Sequence, residues 1–156
     1  MNALAASPDE PAEHARFAAH LRELARATDA REPAVVARVL GDPDRTMARS
    51  AVLRHLDRRA GDLLAEPGFA VWSEAMTRTV GDDPFLTRRL LEWSLLRAVV
   101  RQGPWRPDDL LNASDWLQLR AAATSNAEVL RLLAERGRTR RIRRTAGLNP
   151  ARSGDD

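Results

Sequence analysis

Strong breakers cut this chain into short pieces. They are "DAREP" at 29–33, "GDPD" at 41–44, "EPG" at 66–68, "GDDP" at 81–84 and "RQGPWRP" at 101–107. Between them apolar residues recur every three or four positions, the helical period, and nowhere alternate strictly over the length of a strand. Such a chain is restricted to short amphipathic helices, each needing a neighbour to cover its apolar flank. The expected fold is all-α, with short helices stacked as a small α-solenoid or an irregular helical bundle.

The spacing predicts helices over about 11–27, 33–40, 44–64, 69–80, 84–101, 107–111, 114–123, 126–135 and 139–147. Gly41 is expected to close the second, Asp42 to cap the third, and Gly61 to interrupt the third or cap its first segment. The segment 84–101 is apolar in nearly every direction, which places it at the centre, buried on most sides. Residues 9–147 are expected to form one domain, with 1–8 and 148–156 as flexible tails.

Composition removes several chemistries. The 156 residues include no cysteine, which excludes disulfides, thiolate metal sites and cysteine nucleophiles. With 44% hydrophobic residues the chain can bury one core without such staples. The opening "MNALAASPDEPAEH" has neither a basic n-region nor an apolar h-region, and no apolar run is long enough to span a bilayer. A cytoplasmic protein without membrane contact is therefore expected. All 25 basic residues are arginine. With so much alanine, this reads first as the codon bias of a GC-rich genome.

The net charge of +3 hides an asymmetry. Residues 131–152 carry eight arginines against a single acid, Glu135, whereas residues 1–130 carry 17 arginines against 19 acids. The last forty residues also repeat themselves. "RAAATSN" begins at Arg120 and "RTAGLNP" at Arg144, with "NAEVLRLLAERGRTRRI" bridging them. Ala122, Asn126, Val129, Leu130, Leu133, Ala134, Ile142, Ala146, Asn149 and Pro150 resemble the pattern of HEAT-like repeats, and more closely that of bacterial leucine-rich variant repeats. The resemblance covers residues 114–150 only; an irregular helical domain with one repeat-like end is the competing architecture. It implies a curved binding surface rather than an enzyme.

Several residues are candidates for function. In "RGRTRRIRRT", a helix that buries Ile142, Thr145 and Ala146 presents Arg140, Arg141, Arg143 and Arg144 outward, with Arg136 and Arg138 just ahead of it. This is an anion-binding face for an acidic protein or nucleic acid, or else an ordinary solvated helix. Trp105 and Trp116 are candidate partner-binding residues; Trp105 is either an exposed anchor or a plug against the central helix. The acid pairs at Asp42 and Asp44, Asp82 and Asp83, and Asp108 and Asp109 each neighbour a proline at a helix start, so capping accounts for them. His14, His20 and His55 show no metal-ligand spacing, and no nucleophile elbow, P-loop or dinucleotide fingerprint occurs. The sequence assigns no catalytic residue, no metal and no cofactor. The expected function is a non-enzymatic protein-interaction module. The alternative is a nucleic-acid-binding accessory protein acting through residues 136–144, and a third is an enzyme built from scattered acids and histidines.

Overall fold

Side-chain caps set where the helices begin. Asp44 accepts from the Met47 N–H, Asp83 from Phe85 and Leu86, Ser114 from Leu117, Asn126 from Val129 and Thr139 from Ile142. The computed structural model describes residues 10–154, which form α1 (Glu10–Arg26), α2 (Glu32–Leu40), α3 (Arg45–Leu63), α4 (Phe69–Val80), α5 (Pro84–Val100), α6 (Pro107–Leu111), α7 (Asp115–Ala121), α8 (Ala127–Arg136) and α9 (Arg140–Leu148), followed by a 3₁₀ turn, Pro150–Ser153. There is no strand among the described residues, so the all-α expectation holds and the architecture is an irregular helical bundle. No described helix is long and apolar enough to cross a membrane.

Neighbours in sequence are mostly neighbours in space: α1 lies on α2 and α3, α2 on α3 and α4, α4 on α5, α7 on α5, and α8 on α9. One continuous core runs through the stack, from Leu24 and Val36 through Leu56, Trp93 and Leu117 to Leu133 and Ile142.

Three expectations change. Asp42 does not cap α3; Asp44 does, while Asp42 accepts from the Asp44 N–H and holds His20 at 2.9 Å and Arg16 at 3.3 Å. Gly61 does not interrupt α3; the helix continues, and an added Cβ there would lie 3.8 Å from the Trp93 ring. The α5 helix buries Leu86, Leu90, Trp93, Leu96 and Val99 against its neighbours, but Phe85 and Leu91 remain 48% and 65% exposed. It is covered by α3, α4 and α7 and is open on the remaining side.

At the C-terminus, the boundary expected at 147 falls inside α9, and residues 148–154 are not a bare tail. The Asn149 amide donates to the carbonyls of Ala122 (3.1 Å) and Thr124 (3.0 Å), and its oxygen accepts from Ala151, starting the 3₁₀ turn that rests on α8. The tail expected at 1–8 lies outside the described residues. Asn126 uses the same device: its amide donates to the Val99 carbonyl at 3.1 Å while its oxygen caps α8. Each asparagine reaches back 27 residues to the closing carbonyls of an earlier helix.

Buried polar side chains tie the short helices together. Glu32, 2% exposed at the start of α2, accepts from Trp72 Nε1 of α4 at 3.0 Å and from Arg59 Nε and Nη2 of α3 at 3.2 Å. His55 of α3 sits 2.7 Å away through Nε2. Arg58 faces the His55 Nδ1 at 3.3 Å, and a guanidinium can only donate, so Nδ1 accepts and Nε2–H donates to Glu32. Burial pushes the Glu32 carboxyl upward, but the donors His55, Arg59 and Trp72 and the charge on Arg59 outweigh it, holding the group down at about 2 against an ordinary 4.5. At the other end Gln118 of α7, fully buried, donates to the carbonyls of Leu110 and Leu111 at 3.0 Å each and accepts from the Arg138 N–H at 2.9 Å.

The Glu32 cluster sets an acid response. Above pH 4.5 the carboxyl is ionised in both folded and unfolded chains and its stabilisation is complete; between 4.5 and about 2 only the unfolded chain takes up the proton, so stability falls. The urea midpoint is expected to drop across that window, and Glu32→Gln to flatten the drop. Glu32→Ala, which strands the buried donors of His55 and Trp72 and leaves Arg59 with Asp29 alone, is expected to cost about 3–5 kcal/mol in urea unfolding at neutral pH.

Candidate functional site

The arginine-rich end is exposed, and two of its members are engaged internally. Ile142 and Ala146 are the buried residues of α9. Thr145, expected to share that stripe, is exposed. The stripe leans the other way because α8 meets α9 on the Gly147 side, where an added Cβ would stand 3.9 Å from that of Ala134. Arg143 donates to the Gly137 carbonyl at 2.7 Å. Gly137 is itself required: a Cβ there would fall 2.5 Å from the Leu133 carbonyl oxygen and 2.7 Å from Ile142. Arg138 reaches the Asn112 carbonyl at 3.4 Å and Asp115 at 3.7 Å. The exposed guanidinium groups of Arg136, Arg140, Arg141 and Arg144 make no hydrogen bond or ion pair among the described residues. Arg140, Arg141 and Arg144 form an open cationic face on the outside of α9, and Arg136 stands at the end of α8 just ahead of it.

The two candidate tryptophans part company. Trp116 is sandwiched: the Arg89 guanidinium lies 3.8 Å over its ring, Arg120 stands 5.1 Å away, and Trp93 meets it edge-on at 5.2 Å between centroids. Arg89 in turn approaches Asp57 at 3.5 Å, and Asp57 accepts from Trp93 Nε1 at 2.7 Å. Trp116 therefore joins α7 to α5 and α3.

Trp105 is half-buried and lines a groove of about 680 Å³ along the open side of α5. Leu91, Leu95 and Ala98 form the helix wall, and the lining is predominantly apolar. It packs against the core, as a plug would, and also lines the groove. Arg88 and Arg106 lie at this groove, and Arg88 and Arg138 both donate to the Asn112 carbonyl, at 3.3 and 3.4 Å. The apolar groove and the arginine-rich end thus meet at Asn112.

No protein-family model, curated protein or solved structure matches this chain.

The sequence reading missed Leu91, Leu95, Arg88 and Arg106 as a group. The available signal was the excess of apolar positions on 84–101, more than three neighbouring helices cover. Several of the acids and histidines singled out in the sequence are held in structural contacts. Asp83 and Asp44 cap helices, His20 rests on Asp42 and His55 on Glu32, and no group of three potential metal ligands occurs among the described residues. Glu92 is enclosed by α5 and α7, accepting from the Ser114 N–H and hydroxyl and from Arg88.

The two kinds of candidate residue should separate in stability measurements. Trp116→Ala removes a packed ring and is expected to cost about 3 kcal/mol in thermal or urea unfolding. The double substitution Arg140→Glu, Arg144→Glu touches only open surface and is expected to shift stability by less than about 0.5 kcal/mol, with unchanged far-ultraviolet circular dichroism.

Proposed function

We propose that this chain is a non-enzymatic protein-interaction module whose partner is an amphipathic segment with apolar anchors and acidic flanks. The observation that carries this reading is the groove over α5. Its wall is a row of apolar side chains, Leu91 at 65% exposure beside the half-buried Leu95 and Ala98, with a tryptophan lining the same space. Helical grooves of this kind accept the apolar face of a partner helix. At the groove itself Arg88 and Arg106 are balanced by Glu92 and Asp109, and Arg88 is paired with Glu92; the preference for acids in the partner comes from the arginines beyond Arg138, at 136, 140, 141 and 144.

The resemblance to leucine-rich variant and other HEAT-like repeats belongs to the same proposal. It is supported by the paired asparagine device, which recurs from Asn126 to Asn149 with the same 27-residue reach. The device recurs one residue short of the offset between "RAAATSN" and "RTAGLNP", because Asn149, rather than Pro150, plays the part of Asn126. Stacking by such a device yields the extended surfaces that repeat proteins use for binding.

A second reading, nucleic-acid binding through residues 136–144, is favoured by the four guanidinium groups that no described residue engages. It requires no groove, and its affinity would follow a steep inverse dependence on salt.

Selection from a displayed random-peptide library discriminates the readings. Recovered peptides are expected to combine apolar residues at helical spacing with flanking Asp or Glu. Leu91→Arg is expected to weaken them at least tenfold, and Arg140→Glu, Arg141→Glu, Arg144→Glu more mildly. Peptides that bind Leu91→Arg unchanged would remove the groove from the proposal. Salt-sensitive duplex DNA binding that the triple arginine variant loses, without peptide enrichment, would favour the second reading.

A further inference from the structure

The first two helices gather positive charge that the composition of the N-terminal half conceals. Arg22 and Arg26 stand one turn apart on α1, and Arg31 and Arg38, seven residues apart, fall on one side of α2. All four line a single cleft of about 590 Å³ between the two helices. Among the described residues Glu23 is the one acid lining it, and it is engaged in an ion pair with Arg38. The exposed guanidinium groups of Arg22, Arg26 and Arg31 make no hydrogen bond or ion pair among the described residues.

Two features make this more than a solvated basic patch. Like charges one turn apart on a helix repel, and here a second helix brings further cations to the same concavity instead of acids. The start of α2 adds to the field. Arg31, at the cap position, offers no side-chain hydrogen bond to the first turn, and Glu32, the acid that would offset the positive end of the helix dipole, is turned inward to His55, Arg59 and Trp72. Ala34 and Val35 give the cleft a small apolar floor beside the charges.

We propose that this cleft binds a small, multiply phosphorylated ligand. Three unmatched guanidinium groups call for about three negative charges, and each can engage a phosphate through paired N–H donors. The volume suits a compact molecule. The cleft is concave and built from two elements, unlike the open face of α9, where the arginines project from a single helix. The site is separate from the groove over α5 and does not depend on the function proposed above.

Isothermal titration of the full chain with inorganic triphosphate, and separately with ATP, at physiological ionic strength tests the assignment. One-to-one binding of triphosphate is expected, and tighter binding of ATP would place its organic portion on the Ala34 and Val35 floor. Equal affinities would assign recognition to the phosphates alone. Arg26→Glu with Arg31→Glu is expected to weaken triphosphate at least tenfold while leaving the ligand-free melting temperature near the parent value. The milder pair Arg26→Gln, Arg31→Gln is expected to weaken it less. Arg140→Glu with Arg144→Glu is expected to change nothing. Absence of binding, equal binding by the Arg26 and Arg31 variants, or loss of binding in the α9 variant would overturn the proposal.

Discussion

The carboxylate of Glu32 is the point on which the N-terminal half of this structure turns. Helices as short as α2 have little stability of their own, so their arrangement must come from contacts between them. Apolar burial supplies attraction without direction. Glu32 supplies direction, because its two oxygens are met from α3 and α4 by donors of three different shapes: an imidazole, a guanidinium and an indole. A buried charge is tolerable only when its lone pairs are satisfied, so this arrangement excludes alternatives that strand any of those donors. Gln118 performs the uncharged counterpart at the other end, fastening α6 to the segment that leads into α9.

What the sequence revealed follows from which forces are local. Helix positions were legible because breakers and period are properties of neighbouring residues, and the N-caps at Asp83, Ser114, Asn126 and Thr139 lie where the pattern begins. Asp42 and Asp44 were harder to separate, since either has the right chemistry and only the approach of His20 and Arg16 from α1 draws Asp42 away. The Glu32 cluster was invisible, as its donors lie 23 to 40 residues along the chain from the carboxylate.

The surface was legible only in part, for a related reason. Arginines 136–144 stand out because they are crowded into nine positions, yet Arg143 and Arg138 turn back onto the chain's own carbonyls. Arg22, Arg26, Arg31 and Arg38 do not stand out, because the acids interspersed with them cancel the count, although Asp29 and Glu32 are drawn to Arg59 and only Glu23 of these three lines the cleft. Trp105 and Trp116 look alike in sequence, but only the fold shows that the second is already held by Arg89 and Trp93. The groove over α5 was present as an unexplained surplus of leucine, and became a site once the number of covering helices was known.

The cationic faces are made of guanidinium groups alone, and this fixes how they can be governed. Arginine keeps its proton at any physiological acidity, and the chain offers no lysine side chain for acetylation. Neither acidification of the surroundings nor acylation of side-chain amines can dim these surfaces. Tuning of what they attract must come by other routes: phosphate or carboxylate gained or lost on the counterpart, methylation of a guanidinium, phosphate added to a neighbouring hydroxyl, or the ionic strength between them.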